Sequence, residues 1–423
     1  MLDIQIIREH GEEVIRRLKV RNMDATEVVG RLREADAVRR KTQKELDDNL
    51  ARANELARQI GELFKSGKGQ QAAEMKQESA LLKQRAKTLQ DQLDSVTAEF
   101  RELMVKLPNL PHPSVPPGNS EADNELVRAE GEPLPAATNA LPHWDLARKY
   151  DIIDFELGAK VSGAGFPVYK GRGARLQRAL IAFFLDEATK AGYTEYQPPL
   201  LVNEASAFGT GQLPDKDGQM YHLPADNLYL IPTAEVPLTN LYRDSILKEE
   251  ELPVKCAAYS VCFRREAGSY GKDVRGLNRL HQFDKVEIVQ VAHPGKSYEV
   301  LDEMVEYVSG LLRKLELPFR ITRLCGGDLG FASALTFDME VYASAQQRWL
   351  EVSSISNFEA YQSARMKLRF RSSAGKNSLA HTLNGSALAL PRILAALLEN
   401  NQGAGGIRIP EALRPYTGFD SIG

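Results

Sequence analysis

Residues 263–289 read FRREAGSYGKDVRGLNRLHQFDKVEIV, a stretch crowded with cations and carboxylates. A charged run is ordinarily a solvated loop. Its flanks, Tyr259–Phe263 and Val286–Val291, have strand composition instead, so the run reads as the tip of a hairpin, long, basic and supplied with Gly268, Gly271 and Gly276. Side chains alternate along a strand, which puts Phe283, Lys285, Glu287 and Val289 on one face. A carboxylate on a half-buried strand needs a partner. Arg264 and Arg265 can be that partner, or all of them can serve a charged ligand. A second cation stands near the end of the chain, where Pro391 suits the first position of a helix and Arg392 follows at once. A cation there opposes the helix dipole, so Arg392 reads as placed for an anion.

The elements that must position these groups are short strands mixed with helices. Residues 174–192 have helical periodicity and a glycine stop. Pro198 and Pro199 interrupt the following strand, which keeps it away from the centre of a sheet. Residues 228–244 read as a short strand and then a loop in which two prolines bracket Thr233, Ala234 and Glu235. Residues 298–317 read as a helix, and residues 337–358 hold two strands, the second carrying Glu351 and Val352. The last element, residues 378–402, reads as a strand, a small-residue turn and a helix. Hairpins with helices outside them predict an antiparallel sheet and an α+β fold. There is no GxxxxGK[ST] and no strand-linked GxGxxG, so any use of ATP proceeds without a P-loop or a dinucleotide-binding turn.

The first hundred residues differ. Leu32, Ala35, Thr42, Leu46, Asn49, Ala53, Leu56, Ile60 and Leu63 recur at steps of three, four or seven. Met75, Ser79, Leu82, Ala86, Leu89, Leu93, Val96, Phe100 and Leu103 alternate steps of four and three. Each is a coiled-coil seam, and residues 66–70 are the turn between them. The short turn folds the helices into an antiparallel pair, an arm of about residues 27–104 inside an N-terminal domain of residues 1–106. One helix carries Arg31, Arg33, Arg39, Arg40, Lys41 and Lys44 against only Glu34 and Asp36, a basic face that suits a phosphate backbone. Residues 107–118 hold five prolines and read as a stiff linker to a domain of residues 119–423.

The chain of 423 residues has a formal net charge of −3, so nucleic-acid binding must come from local patches. Cys256, Cys262 and Cys325 form no CxxC pair, which predicts a reducing compartment and no cysteine zinc site. The N-terminus turns acidic at once, unlike a secretion signal, and no apolar run approaches the ~20 residues of a membrane helix. A cytoplasmic protein without a membrane partner is the expectation.

FRREAG, HQFDKVE and NGSALALPRILAALLEN resemble motifs 2 and 3 of the class II aminoacyl-tRNA synthetases, and ALIAFFLDEATKAGYTEYQPPLLV resembles motif 1, with Pro198 or Pro199 as its proline. KVSGAGFPVYKG, PTAEVPL and EVSSISNFEAYQSARM are similar to sequences of the bacterial seryl-tRNA synthetases, and the likeness takes in the arm. It departs at Arg265, often serine in that family, and at Ala387–Pro391, where many relatives carry glycines. The resemblance implies a class II antiparallel sheet with flanking helices, a homodimer, and ligation of L-serine to tRNA(Ser), with tRNA(Sec) a further candidate. It implies ATP as substrate, with Mg²⁺ and without zinc. Arg264 and Arg392 would be catalytic. The ATP set would be Arg264, Arg265, Glu266, Leu280, Phe283, Glu351, Val352, Ser353, Ser354 and Arg392, with Glu351 and Ser354 offering hard oxygens to Mg²⁺. The serine set would be Thr233, Ala234, Glu235, Arg264, Glu287, Asn384 and Ser386. Two rivals predict different sequences. A ligase that charges a carrier protein on the same core would lack the arm, and a non-enzymatic scaffold would lack the two arginines.

Overall fold

The computed structural model describes residues 1–133, 139–215, 218–266 and 275–423. Of the expected hairpin tip, Gly268 and Gly271 lie outside the described residues. The chain divides into two compact units, one of Leu2–Lys19 with Met23–Pro108, the other of Met1, Val20–Asn22 and Asn109–Gly423.

The first unit contains α1 (Ile4–Glu9), α2 (Gly11–Lys19), α3 (Thr26–Lys65) and α4 (Gly69–Met104). The predicted seam is the buried one. Leu32, Ala35, Leu46 and Leu56 of α3 and Leu89, Leu93 and Leu103 of α4 are buried. The polar seam residue Asn49 is satisfied by donating from Nδ2 to the Leu82 carbonyl at 2.8 Å. Helices α1 and α2 were not anticipated, because six and nine residues are too few to display a period. They pack on the base of α3, where Arg8 meets the fully buried Asp36 at 2.5 Å. Arg39 and Arg40 reach the same carboxylate at 3.0 and 3.1 Å, and Arg31 pairs with Glu99 at 2.7 Å. Half of the basic face is therefore engaged within the unit. Arg33, Lys41 and Lys44 have no ion pair among the described residues.

The second unit is built on an eight-stranded sheet. Its strands are β1 (Glu125–Glu130), β2 (Thr194–Glu195), β3 (Val254–Phe263), β4 (Gln282–Ala292), β5 (Phe319–Arg323), β6 (Leu335–Ala343), β7 (Arg348–Asn357) and β8 (His381–Ala389). Their spatial order is β1-β5-β6-β7-β8-β4-β3-β2. Every neighbouring pair is antiparallel except β2 with β3. The edge place of β2 is what Pro198 and Pro199 require, and after them the chain enters a separate three-stranded sheet at Leu201–Asn203. Helices α5 (His143–Lys149), α6 (Gly171–Lys190), α7 (Ser297–Lys314) and α8 (Leu390–Asn400) belong to the same unit. Leu176, Leu180, Phe183 and Phe184 of α6, Met304, Val308 and Leu311 of α7, and Ile393, Leu394 and Leu397 of α8 share one core with Val286, Ile288 and Ile355 of the sheet.

Three expectations change. From Asn109 onward the proline-rich segment is a strap bound to its own unit. The Asn109 amide donates to the Phe331 carbonyl at 2.9 Å, its side chain to the Ala332 and Phe358 carbonyls, and the His112 amide to the Ala334 carbonyl at 2.7 Å. Asn384, Gly385 and Ser386 form no turn, since β8 runs through them and Gly385 pairs with both Ile288 and Ile355. A Cβ at Gly385 would stand 3.2 Å from Ile355 Cγ1, so the small residue serves close packing in a central strand. Residues Glu235–Asn240 form a short helix instead of a loop. Pro237 sits in its first turn, where the missing N–H has no intrahelical acceptor to lose.

Candidate active site

A cavity of about 740 Å³ opens over β4, β7 and β8, and one end is acidic. Glu287 of β4 is 1% exposed and lies directly opposite Ser386 of β8, with Val289 opposite Asn384. The period-two alternation thus gathers Glu287, Asn384 and Ser386 on one face. The carboxylate's partners are Lys285, two residues away on the same strand face, and Thr233, whose hydroxyl donates to Glu287 Oε2 at 2.8 Å. Neither Arg264 nor Arg265 fills that place. Arg264 lies farther along the cavity, its guanidinium 5.2 Å from the Phe283 ring and its Nε 3.4 Å from the Pro232 carbonyl.

Glu235 is 6% exposed and accepts from Gln362 Nε2 at 2.6 Å. Gln362 accepts in turn from Thr382 Oγ1 at 2.7 Å. Burial, and next the nearby Glu287 carboxylate, push the Glu235 carboxyl up to about 7, while the Gln362 amide opposes the shift.

The other end is cationic. Arg392, in the first turn of α8, donates from Nη1 to the Glu351 carbonyl at 2.7 Å and from Nε to the Asn278 carbonyl at 3.2 Å, with the Glu351 carboxylate 3.3 Å away. Glu266 has a φ of 46° and is held by Arg279 at 3.1 Å. Leu280, Phe283 and Val352 supply apolar wall. Glu351 and Ser354 are three residues apart, a spacing that puts them on opposite faces of a regular strand. The register slips by one between Met339 opposite Ser353 and Glu340 opposite Glu351, a bulge at Val352 that lets both face the cavity. Asp338 of β6 stands opposite Ser354, with Oδ1 buried and without a hydrogen-bond partner. Burial, then the Glu351 carboxylate, hold the Asp338 carboxyl well above its usual range. Among the described residues no group of three His, Cys, Asp or Glu is arranged as a metal site.

Of the residues expected here, Thr233, Glu235, Arg264, Glu266, Leu280, Phe283, Glu287, Glu351, Val352, Ser354, Asn384, Ser386 and Arg392 line the one cavity. Ala234, Arg265 and Ser353 do not. Ala234 packs in the core beside Val289, Arg265 stands 5.7 Å from the Tyr221 ring, and Ser353 donates to the Ser386 carbonyl at 2.6 Å. Lys285, Arg279 and Gln362 were missed. The period of two had placed Lys285 beside Glu287, a signal left unused. Nothing in the local pattern points to Gln362.

Residues 221–401 match the family model described as the tRNA synthetase class II core domain (G, H, P, S and T). Residues 1–111 match that of the seryl-tRNA synthetase N-terminal domain, a match that disfavours a carrier-protein ligase without the arm. The serine–tRNA ligase of Salinibacter ruber is 51% identical over 425 residues, covering 100% of this chain and 99% of its own. That of Methylacidiphilum infernorum is 47% identical over 418 residues, covering 98% and 99%. The crystal structure of seryl-tRNA synthetase from Pyrococcus horikoshii complexed with ATP superposes with a TM-score of 0.92 at 33% identity, covering 100% of this chain and 99% of that one. Among the described residues no helix is long and apolar enough to cross a membrane. With both of its family domains matched and its whole length covered by such relatives, the chain belongs to the seryl-tRNA synthetases, the class II aminoacyl-tRNA synthetases that are serine–tRNA ligases.

Proposed function

We infer that this cavity activates L-serine with ATP and passes the seryl group to the 3′-terminal adenosine of tRNA(Ser). The observation that carries the reading is the placing of buried Glu287, Glu235 and Thr233 at one end of the cavity that holds Arg264 and Arg392. In the first step a serine carboxylate oxygen attacks the α-phosphorus, the bond to the β-phosphate bridging oxygen breaks, and pyrophosphate leaves. In the second a ribose hydroxyl of the tRNA attacks the activated carbonyl, and AMP leaves. Both partners in the first step are anions, so the residues' work is alignment and charge neutralisation. Arg264 holds the serine carboxylate and the α-phosphate, and Arg392 the γ-phosphate. Phe283 stacks on adenine, and Glu266 accepts from its amino group. Glu235 takes the serine ammonium, and Glu287 accepts from the serine hydroxyl. Glu351 and Ser354 would hold Mg²⁺, which neutralises phosphate charge when bound, and the unpartnered Asp338 oxygen beside Ser354 suits that donor set.

We further place the enzyme in the cytoplasm as a homodimer. Recognition of tRNA by backbone and shape admits more than one acceptor of that shape, and tRNA(Sec) is the second to test. Serine-dependent exchange of pyrophosphate into ATP, run across the twenty amino acids, tests the activity. Exchange with serine is expected to dominate, and a preference for another amino acid would refute the assignment. A pocket that pairs with a substrate hydroxyl penalises alanine, which leaves those groups unpaired. Glu287→Ala should therefore erode the preference for serine over alanine by ~10-fold or more. Unchanged discrimination would make Glu287 structural.

Serine binding should also depend on pH. The Glu235 carboxyl is raised to about 7, so below that pH it is largely protonated and offers the ammonium no charge. The KM for serine should rise as pH falls from 8 to 5.5, by at most about ten-fold per pH unit for one proton. Glu235→Gln should raise KM and flatten this dependence. An equally steep acid limb in the variant would assign it to another group.

A further inference from the structure

We propose that His143 and Glu399 form a buried positioning pair that holds the returning limb of the nucleotide loop, residues 275–280, and through it Arg392. The proposal rests on reading the cavity as an ATP site. Neither residue lines that cavity, and both side chains are fully buried. Glu399 lies seven residues beyond Arg392 on α8, two turns along the same helix face. Its Oε1 is 2.8 Å from His143 Nδ1, 3.0 Å from the His143 amide and 2.8 Å from Gln346 Nε2. Its Oε2 accepts from the amides of Ala345 and Gln346 at 3.2 and 3.1 Å. Five donors satisfy a charge that could not otherwise be buried.

The other ring nitrogen shows what the pair holds. The Leu277 amide donates to His143 Nε2 at 2.9 Å, so Nε2 is the acceptor and Nδ1 carries the proton toward Glu399. The neighbouring Gly276 has a φ of 69°, and a Cβ there would stand 2.2 Å from His143 Nε2, so glycine is required on both counts. Arg275 lies with its guanidinium 4.6 Å from the Trp144 ring. Asn278 Nδ2 donates to Gln346 Oε1 at 3.0 Å, and the Asn278 carbonyl accepts from Arg392 Nε at 3.2 Å. The bonds close a ring. Helix α8 carries both Arg392 and Glu399, and the path from Glu399 through His143 or Gln346 to Leu277 and Asn278 returns to Arg392. A buried polar network costs desolvation that apolar residues would not. What it secures in return is the position of one loop limb and one guanidinium, both at the nucleotide end of the cavity.

The test uses the full chain with three substitutions. A glutamine amide reaches where Nε2 accepts, so His143→Gln can restore the Leu277 bond. An asparagine amide reaches only where Nδ1 donates, so His143→Asn can restore only the Glu399 bond. ATP affinity is read by calorimetry, and KM for ATP and for serine by pyrophosphate exchange, with thermal melts as the folding control. His143→Ala and His143→Asn should weaken ATP by about ten-fold with the KM for serine within about two-fold, and His143→Gln should recover most of the loss. Wild-type ATP affinity in all three, an asparagine as effective as the glutamine, or a parallel weakening of ATP and serine would each overturn the proposal. Should His143→Ala not fold, the difference between glutamine and asparagine decides. A wild-type protein without serine-dependent exchange would instead overturn the functional reading beneath it.

Discussion

Arg264→Ala and Arg392→Ala are each expected to lower serine-dependent pyrophosphate exchange by ~10²–10³-fold, the scale for removing one preorganised donor to a charge that develops in the transition state. The two reactants repel, and each guanidinium offsets part of that repulsion. Folding should survive. Arg264 makes one long contact to the Pro232 carbonyl and a cation–π contact, and Arg392 retains 28% of its side-chain surface. Arg392 already faces the Glu351 carboxylate, so the loss of its positive charge leaves that carboxylate without its ion-pair partner. Arg392→Lys is therefore an informative companion. It keeps the charge without the planar fork that reaches the Glu351 and Asn278 carbonyls together, and it should fall between wild type and alanine. Exchange within a few-fold of wild type for either alanine variant, with an unchanged melting temperature, would remove that arginine from the chemistry.

What the sequence made legible divides by range. Strand alternation through Phe283, Lys285, Glu287 and Val289 needs only neighbours; the first three line the cavity, and Val289 continues their face into the core beside Ala234. The heptad seam of α3 and α4 is equally local. Of Glu287's two partners, Lys285 is local and Thr233 is not. Two arginines beside it in the hairpin were candidates, yet the carboxylate meets Lys285 and a threonine brought in from 54 residues away. Asn384, Gly385 and Ser386 have turn composition and nevertheless form a central strand, because sheet packing against Ile355 outweighs weak strand propensity. The bulge at Val352 has no local signature, and without it Glu351 and Ser354 could not share a face. Polar support behind the site, Gln362 for Glu235 and Glu399 for His143, joins residues more than a hundred positions apart. Such contacts exist only once the sheet has formed, so no periodicity announces them.

Removing the distal arm should separate the two half-reactions, with serine activation retained and serylation of tRNA strongly reduced, because backbone contacts supply much of the affinity for a nucleic acid. The pairing of α3 with α4 shows where to cut. Arg31 meets Glu99, Arg52 meets Glu78, and Asn49 reaches Leu82, so partners sum to about 130 along the hairpin. The base must stay, because Asp36 there binds Arg8, Arg39 and Arg40 together. Cutting inside the cluster would strip a fully buried carboxylate of its partners. Deleting residues 41–89 and joining Arg40 to Gln90 through a short turn respects both limits. It removes Lys41 and Lys44 with the distal cations and takes Leu46, Leu56 and Leu89 together, and the new turn must cover Leu93, which packs with Leu46 and Leu89 in the intact hairpin. The residues that line the proposed substrate cavity all lie in the other unit, so exchange should remain within about two-fold of wild type. The intact enzyme's tRNA affinity should fall steeply with added salt, and the truncated enzyme's should fall less, in proportion to the phosphates no longer neutralised. A truncated protein that charges tRNA at wild-type efficiency, or whose salt dependence matches the intact enzyme's, would refute the arm as a phosphate-binding element and leave it a dimerisation or packing device.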